Sequence, residues 1–246
     1  MSRYFIQLAY NGLNFHGWQS QPGVVTVQQT IENGLSTILR RPVSIVGAGR
    51  TDTGVHARQM FAHVDLPDIP ADTARFIRSL NSILGPDIAI HALLPVSDNA
   101  HARFDATSRT YRYYIHHKKD PFLRGLSHFI APLDVTAMNA AARQLLNVSD
   151  FTSFAKLHTD NKTNICKVTE AIWTPLGENR FVFNITADRF LRNMVRAVVG
   201  TLVDVGRGKL SQEDFLKIIE RRDRCAAGTS MPPHALYLEQ ITYPYI

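Results

Sequence analysis

The order of secondary-structure patterns along the chain constrains its fold more than any other sequence feature. In residues 1–105, hydrophobic spacing predicts a strand, a helix, two strands, a helix and a strand. Residues 106–246 follow the same order with one additional helix. This order predicts an α+β protein of two similar halves, with domains at 1–105 and 106–246.

Local signals support the individual elements. Thr26 and Ser211 each stand three residues before a polar partner, Gln29 and Asp214, a spacing that predicts helix N-termini. The turn-forming run at 176–179 predicts a hairpin. The predicted strands are residues 3–10, 42–46, 59–66, 87–96, 109–117, 164–175, 180–187 and 236–243. The predicted helices are one that begins at Thr26 and those at residues 71–84, 136–146, 189–205 and 211–222.

Composition excludes several classes of protein. No apolar run approaches the ~18 residues that a membrane-spanning helix needs, so we expect no membrane association. The first residues lack the charged, apolar and small-residue order of a signal peptide. Two cysteines, Cys166 and Cys225, are too few for a disulfide scaffold or a four-cysteine zinc site. The expected setting is the reducing cytoplasm.

Arginine dominates the charge of the chain. The 27 Lys+Arg residues exceed the 21 Asp+Glu residues, for a formal net charge of +6, and most of the basic residues are arginine. The guanidinium group is a planar fork that fits phosphate and stacks on bases. This bias is typical of nucleic-acid binding, although ordinary mild basicity explains the net charge equally well.

Familiar cofactor and metal motifs are absent. The pair Gly47 and Gly49 lacks the third glycine of a dinucleotide-binding fingerprint. Val55 and His56 occupy the positions where a P-loop needs lysine and serine or threonine. The 10 histidines are scattered and form no H-E-x-x-H motif. The sequence therefore predicts neither a metal site nor a cofactor.

The segment from Gly49 to Ala57 is the most unusual of the chain. It places Asp52 between two threonines and between glycines, on a loop between predicted strands. Glycines allow a ligand to approach closely, and Arg50 lies near enough to hold the carboxylate ionised. The structural alternative is an Asx turn at Asp52. The next acid, Asp65, lies on the following strand, so the opposed carboxylates of a glycosidase are missing. A lone carboxylate suits a rearrangement at a glycosidic carbon.

A series of ordered motifs resembles those of the TruA-type tRNA pseudouridine synthases over nearly the whole chain. The sequence has Asn11 where that family usually has Asp, and Thr53 where Ala is common, which leaves the effect of both departures open. The matching motifs are YNGLNFHGWQ at 10–19, TVQ at 26–28, GRTDTGVH at 49–56, HARF at 101–104, RTYRY at 109–113, DFTSF at 150–154, FLRNMVR at 190–196 and LYL at 236–238.

The resemblance implies a fold and an activity. The fold is two ferredoxin-like halves whose antiparallel sheets form one continuous curved sheet, with helices on one side and a basic RNA cleft on the other. The activity is isomerisation of uridine to pseudouridine at positions 38, 39 and 40 of the tRNA anticodon stem-loop, without metal or cofactor. The resemblance also implies a homodimer in which one tRNA contacts both subunits.

The same resemblance implies roles for single residues. Asp52 is the catalytic carboxylate, which either attacks C1′ or removes the 2′ proton, and the sequence leaves both routes open. Tyr111 stacks on the uracil, and Arg196 pairs with Asp52 and orients it. Leu238 contributes the apolar floor of the uracil pocket. Arg50 fills the space of the flipped base or grips a flanking phosphate.

Other arginines are candidates for phosphate contacts in the cleft. The spacing of Arg189, Arg192 and Arg196 predicts that all three share one face of the helix at 189–205, where a solvated face is the alternative. The remaining candidates are Arg58, Arg103, Arg109 and Arg112.

Two other functions compete with the isomerase. One is a catalytically silent RNA-binding module or chaperone on the same fold, which the joint presence of Asp52, Tyr111 and Arg196 disfavours. The other is a hydrolase that uses a carboxylate, which the missing second acid disfavours. The products formed from a tRNA that carries tritium at C5 of uridine would distinguish the three functions.

Overall fold

The computed structural model describes residues 1–67, 72–156 and 162–246. Within these ranges the chain divides into two compact units, residues 1–107 with 237–246 and residues 108–236. Both units combine helices with sheet strands, which confirms the predicted α+β class. No helix of the described ranges is long and apolar enough to span a membrane.

The described strands of the first unit are β1 (Ser2–Tyr10), β2 (Val46–Gly47), β3 (His56–Leu66), β4 (Ile88–Pro95) and β9 (Leu236–Thr242). β1 pairs antiparallel with both β3 and β4, β2 pairs with β3, and β9 lies parallel to β3. The parallel register aligns His56 with Tyr237 and Ala57 with Leu238, so the loop before β3 lies next to the start of β9.

Two helices, α1 (Val27–Leu39) and α2 (Thr73–Leu84), complete the first unit. The side chains of Thr26 and Asp72 cap them, each by accepting a hydrogen bond from a backbone N–H in the first turn. The helices pack on each other where Gly34 leaves room for Leu80 and Leu84. The helix predicted at 71–84 is thus confirmed from residue 73, while residue 71 lies outside the described residues.

The described elements of the second unit are the strands β5 (Ser108–His116), β6 (His128–Phe129), β7 (Val168–Pro175) and β8 (Arg180–Ala187) and the helices α3 (Val135–Gln144), α4 (Met194–Gly206) and α5 (Gln212–Arg221). β8 pairs antiparallel with β5 and β7, and β6 lies parallel to β5. Tyr113, Phe183 and Trp173 form a fully buried row across this sheet. The hairpin predicted at 176–179 is confirmed between β7 and β8.

Several predicted boundaries are wrong, among them the start of the strand predicted at 164–175, which begins at residue 168. Residues 42–45 are not a strand, because the N–H groups of Val43 and Ile45 bond to the α1 side chains of Ser36 and Glu32 instead. β3 begins at residue 56 rather than 59, where the pairing with β9 adds residues at its start. The helix predicted from residue 189 begins at 194, since Asn193 has φ +67° and is left-handed.

Candidate active site

The loop between β2 and β3 carries Asp52, and the N-terminal segment from Tyr10 to Trp18 holds this loop in place. Thr51 Oγ1 lies 2.8 Å from the Tyr10 hydroxyl oxygen, in a buried hydrogen bond. The backbone N–H of Trp18 donates to the Thr51 carbonyl oxygen at 3.2 Å. Both the side chain and the main chain of the residue before Asp52 are therefore fixed by residues more than thirty positions earlier.

Two glycines of the same segment let it approach the loop this closely. A Cβ atom at Gly12 would lie 2.0 Å from the Val55 carbonyl oxygen, and one at Gly17 would lie 2.5 Å from the Thr51 carbonyl oxygen. Gly17 also has φ +86°, a conformation that L side chains rarely adopt. Because both contacts are with backbone atoms, which cannot rotate away, the segment determines where the backbone around Asp52 lies.

Asp52 itself is half-buried, while Arg50 and Thr53 beside it are exposed. The backbone N–H of Val55 donates to the Asp52 carbonyl oxygen at 3.1 Å, which closes a tight turn after the aspartate. Gly54 occupies the left-handed position of this turn, with φ +78°. The loop therefore presents a carboxylate on a fixed backbone, four residues before β3 begins.

The start of β9 lies against the residues that follow the loop. The rings of His56 and Tyr237 stack with centroids 4.4 Å apart, and Leu238 is buried beside them at 2% exposure. The Arg58 guanidinium lies 5.4 Å from the Tyr237 ring centroid and 3.5 Å from a Glu239 carboxylate oxygen. Leu238 is thus an apolar residue of this edge, and the Arg58 side chain remains largely exposed above it.

Tyr111 lies on β5 in the second unit. Its ring meets the Phe190 ring edge-on, with centroids 5.1 Å apart and an interplanar angle of 86°. Tyr111 is only half-buried, unlike Tyr113 on the same strand, whose side chain is fully buried. Burial raises the pKa of Tyr113, which keeps its hydroxyl protonated as a donor to the Pro232 carbonyl oxygen at 3.0 Å. Of the two tyrosines, Tyr111 is therefore the one whose ring is accessible.

Arg196 lies in the first turn of α4 and is half-buried. Its Nε atom donates to the Met231 carbonyl oxygen at 2.6 Å, which fixes the direction of the guanidinium group. The side chain of Asn193, just before the helix, donates to Ser230 Oγ at 2.7 Å. Residues 230 and 231, just before the short 3-10 turn Pro233–Ala235, thus hold the N-terminal end of α4 by two hydrogen bonds.

The prediction that Arg189, Arg192 and Arg196 share one helix face is wrong. Arg189 and Arg192 belong to the non-helical segment before α4, and only Arg196 is helical. The left-handed Asn193 separates them, and this conformation depends on its tertiary contact rather than on the hydrophobic spacing. Arg192 is exposed and Arg189 half-buried in that segment.

The remaining arginines are placed by polar contacts of their own. Arg109 Nη1 donates to the Asp188 carbonyl oxygen at 2.8 Å, and Arg112 Nε donates to Asn184 Oδ1 at 2.9 Å. Both lie on β5, two residues before and one residue after Tyr111. Arg103 is exposed in the first unit. Arg50, Asp52, Arg58, Arg103 and Leu238 thus belong to the first unit, and Arg109, Tyr111, Arg112, Arg189, Arg192 and Arg196 to the second.

Sequence reasoning missed several residues that shape these two sets. The motif at 10–19 contains Tyr10, Gly12 and Gly17 but implies no role for any of them, although glycine is typical of positions where backbones approach closely. Met231 and Phe190 carried no signal of their own. Over residues 1–67, 72–156 and 162–246, no three His, Cys, Asp or Glu side chains cluster closely enough to hold a metal ion.

Comparison with known proteins gives a consistent result. A family model described as tRNA pseudouridine synthase matches residues 141–244. The chain is 58% identical to the tRNA pseudouridine synthase A of Porphyromonas gingivalis, over 99% of this chain and 98% of that protein. It is 56% identical to that of Parabacteroides distasonis, over 99% of this chain and 97% of the relative. The match to that of Bacillus subtilis is 38% identical, over 96% and 97% of the two chains.

Proposed function

The chain belongs to the tRNA pseudouridine synthase A family and is a tRNA pseudouridine synthase, and we propose that it acts on uridines 38, 39 and 40 of the anticodon stem-loop. Pseudouridine formation is an isomerisation. The N1–C1′ bond of uridine breaks, the base turns, C5 joins C1′, and the C5 proton leaves while N1 gains one. The reaction thus needs a group that acts at the sugar and a pocket that retains the detached base.

The observation that carries the proposal is the way Asp52 is held. Its loop is clamped by the buried hydrogen bond between Tyr10 and Thr51 and by the backbone contacts of Gly12 and Gly17. A carboxylate on a fixed backbone meets a reacting carbon in one orientation. Such orientation of a nucleophile or base supplies much of its rate enhancement. Asp52 therefore attacks C1′ or removes the 2′ proton in this proposal.

Tyr111 and Arg196 have the remaining roles. The accessible ring of Tyr111, held edge-on by Phe190, stacks on the uracil while the base is detached. Arg196, whose guanidinium direction is fixed by Met231, pairs with Asp52 and orients it.

The other arginines serve binding rather than chemistry. Arg50 fills the space of the flipped base or grips a flanking phosphate, and Leu238 forms the apolar floor of the uracil pocket. The phosphate contacts that position the stem-loop come from arginines of a basic cleft across one continuous sheet of two ferredoxin-like halves, 1–105 and 106–246. These are Arg58, Arg103, Arg109, Arg112, Arg189 and Arg192. We further propose that the protein is a cytoplasmic homodimer in which one tRNA contacts both subunits. Light scattering of the purified protein measures its oligomeric state.

The test uses tRNA labelled with tritium at C5 of uridine. Tritium released to water without free uracil supports the isomerase, with sequencing of the product to locate the modified positions. Free uracil would indicate a hydrolase, and neither product would indicate a silent RNA-binding protein. Modification confined to positions outside the anticodon stem-loop would refute the proposed site.

Two variants test the residue roles. Asp52→Asn keeps the shape of the side chain and should lower turnover to below about 1% of wild type while tRNA affinity changes only a few-fold. Asp98→Asn is the matched control, because the same charge is removed from an exposed residue in the same unit. Arg196→Met should lower kcat more than it raises KM, and a folded variant with wild-type turnover would return Arg196 to a structural role.

A further inference from the structure

The turn from His101 to Asp105 in the first unit is held by hydrogen bonds on several sides. The Asp105 N–H donates to the His101 carbonyl oxygen at 3.1 Å, and the His101 N–H donates back to Asp105 Oδ2 at 2.7 Å. Inside the turn, the Ala102 N–H donates to His63 Nδ1 at 3.2 Å, and the Tyr243 hydroxyl donates to the Ala102 carbonyl oxygen. The backbone of this turn is therefore satisfied on its inner side by residues of the unit's core.

This rigid turn presents a phenylalanine ring to solvent. Phe104 is 74% exposed, and its ring lies on the His101 imidazole with centroids 4.3 Å apart and an interplanar angle of 35°. The imidazole is itself fixed, because its Nδ1 atom accepts the N–H groups of Arg103 and Phe104 at 3.1 and 3.3 Å. Burial also lowers the pKa of His63 to about 4, so its Nδ1 stays an unprotonated acceptor for the turn at neutral pH.

A positive charge accompanies the exposed ring. The Arg103 guanidinium lies 5.6 Å from the Phe104 ring centroid and is exposed. A flat apolar ring beside a planar cation matches one class of ligand well, a nucleobase attached to a phosphate. A partner protein would also cover an exposed ring, but the adjacent guanidinium and the excess of arginine in the chain favour nucleic acid.

We propose that the Phe104 ring, supported by His101 and flanked by Arg103, is a stacking platform for one unpaired base of the tRNA. The proposal rests on the proposed function only in taking tRNA as the ligand. Every base has an aromatic face, so the platform binds a base without reading its sequence. Because the turn is already ordered, binding the base requires no rearrangement of the backbone.

The first measurement is the dissociation constant for an unmodified tRNA transcript. Phe104→Leu retains an apolar side chain but cannot stack, so Kd should rise about 5- to 150-fold. Phe104→Tyr retains the ring and should bind within about threefold of wild type. Phe122→Leu is the matched control, since Phe122 is 87% exposed and lies outside the first unit. Equal affinity of Phe104→Leu and wild type would overturn the platform.

The second measurement reports stacking directly. Both tryptophans of the chain, Trp18 and Trp173, are buried at 2% exposure, so Phe104→Trp introduces an exposed indole. Its fluorescence should be quenched by tRNA and not by an RNA duplex without unpaired bases, whereas Phe122→Trp should respond to neither. An unquenched indole at 104, or a change of oligomeric state in Phe104→Leu with unchanged tRNA affinity, would show that the ring serves another contact.

Tritium release separates the two proposals. If wild type isomerises uridine, Phe104→Leu should raise KM for tRNA with kcat nearly unchanged, because the ring contacts bound substrate and not the reacting base. Wild-type tritium release together with unchanged KM in Phe104→Leu refutes the platform alone. No tritium release by wild type would refute the proposed function, while the quenching of Phe104→Trp would still decide the platform.

Discussion

Replacing Gly17 with alanine should displace the loop that carries Asp52 while leaving the rest of the protein intact. The new Cβ atom would lie 2.5 Å from the Thr51 carbonyl oxygen, whereas ordinary contacts begin at 3.4 Å. The loop or the segment must therefore move by about 0.9 Å. Thr51 precedes Asp52 directly, so the carboxylate moves with it.

The loss of stability expected for Gly17→Ala has two separable causes. Alanine at a φ of +86° costs about 1–2 kcal/mol of stability, and the backbone clash adds about 1–3 kcal/mol. Gly23→Ala is the matched control, because Gly23 has φ +78° but nothing lies within 4 Å of its Cβ position. The difference in unfolding free energy between the two variants therefore isolates the contact with Thr51.

The assay combines urea unfolding with tritium release from labelled tRNA. Gly17→Ala should be less stable than Gly23→Ala by about 1–3 kcal/mol and should lose about 100-fold in kcat, since a shift of about 1 Å at a reacting group has that effect. Gly23→Ala should retain kcat within a few-fold. Equal stability of the two variants, or wild-type kcat in Gly17→Ala, would refute the argument that this segment positions Asp52.

Two further predictions concern buried polar groups of the first unit. Tyr10→Phe removes the hydroxyl bonded to Thr51 and should lower the stability by about 1–3 kcal/mol. In steady-state kinetics, this variant should lower kcat more than it changes KM. Equal effects on the two constants would contradict a positioning role for Tyr10. Burial lowers the pKa of His63 from 6.5 to about 4 in the folded protein. As the pH falls from 6.5 to 4, this histidine is therefore protonated first in the unfolded chain, and the free energy of unfolding decreases by up to about 3 kcal/mol. Urea unfolding at pH 7 and 4.5 should show a smaller decrease in stability between these two pH values in His63→Asn than in wild type. Equal decreases in the two proteins would refute this source of acid sensitivity.

Local sequence determined most of the element types. The side chains of Thr26 and Ser211 cap α1 and α5 as their spacing predicted, and Ser211 forms the complete capping box with Asp214. The hairpin at 176–179 also formed where its turn residues predicted it. These features depend on residues within about four positions of one another, which is why they can be predicted without knowledge of the fold.

Tertiary contacts decided the boundaries that prediction missed. Residues 42–45 have strand-like composition, yet Ser36 and Glu32 of α1 take the hydrogen bonds that a strand would need. The helix at 189–205 lost its first turn because Asn193 is left-handed and bonds to Ser230. Both outcomes depend on partners that the hydrophobic pattern does not contain.

In the candidate site, too, some features follow from the sequence and others only from tertiary contacts. Motifs alone singled out Asp52, Tyr111 and Arg196 as the candidates for chemistry. Only the structure assigned Tyr10 its hydrogen bond to Thr51 and Gly17 its contact with the same residue. Tyr10 and Thr51 are 41 positions apart, and β1 and β3 must pair before the two side chains can meet. Residue types that supply chemistry are visible in a sequence, but the contacts that position them form only when distant segments pack together.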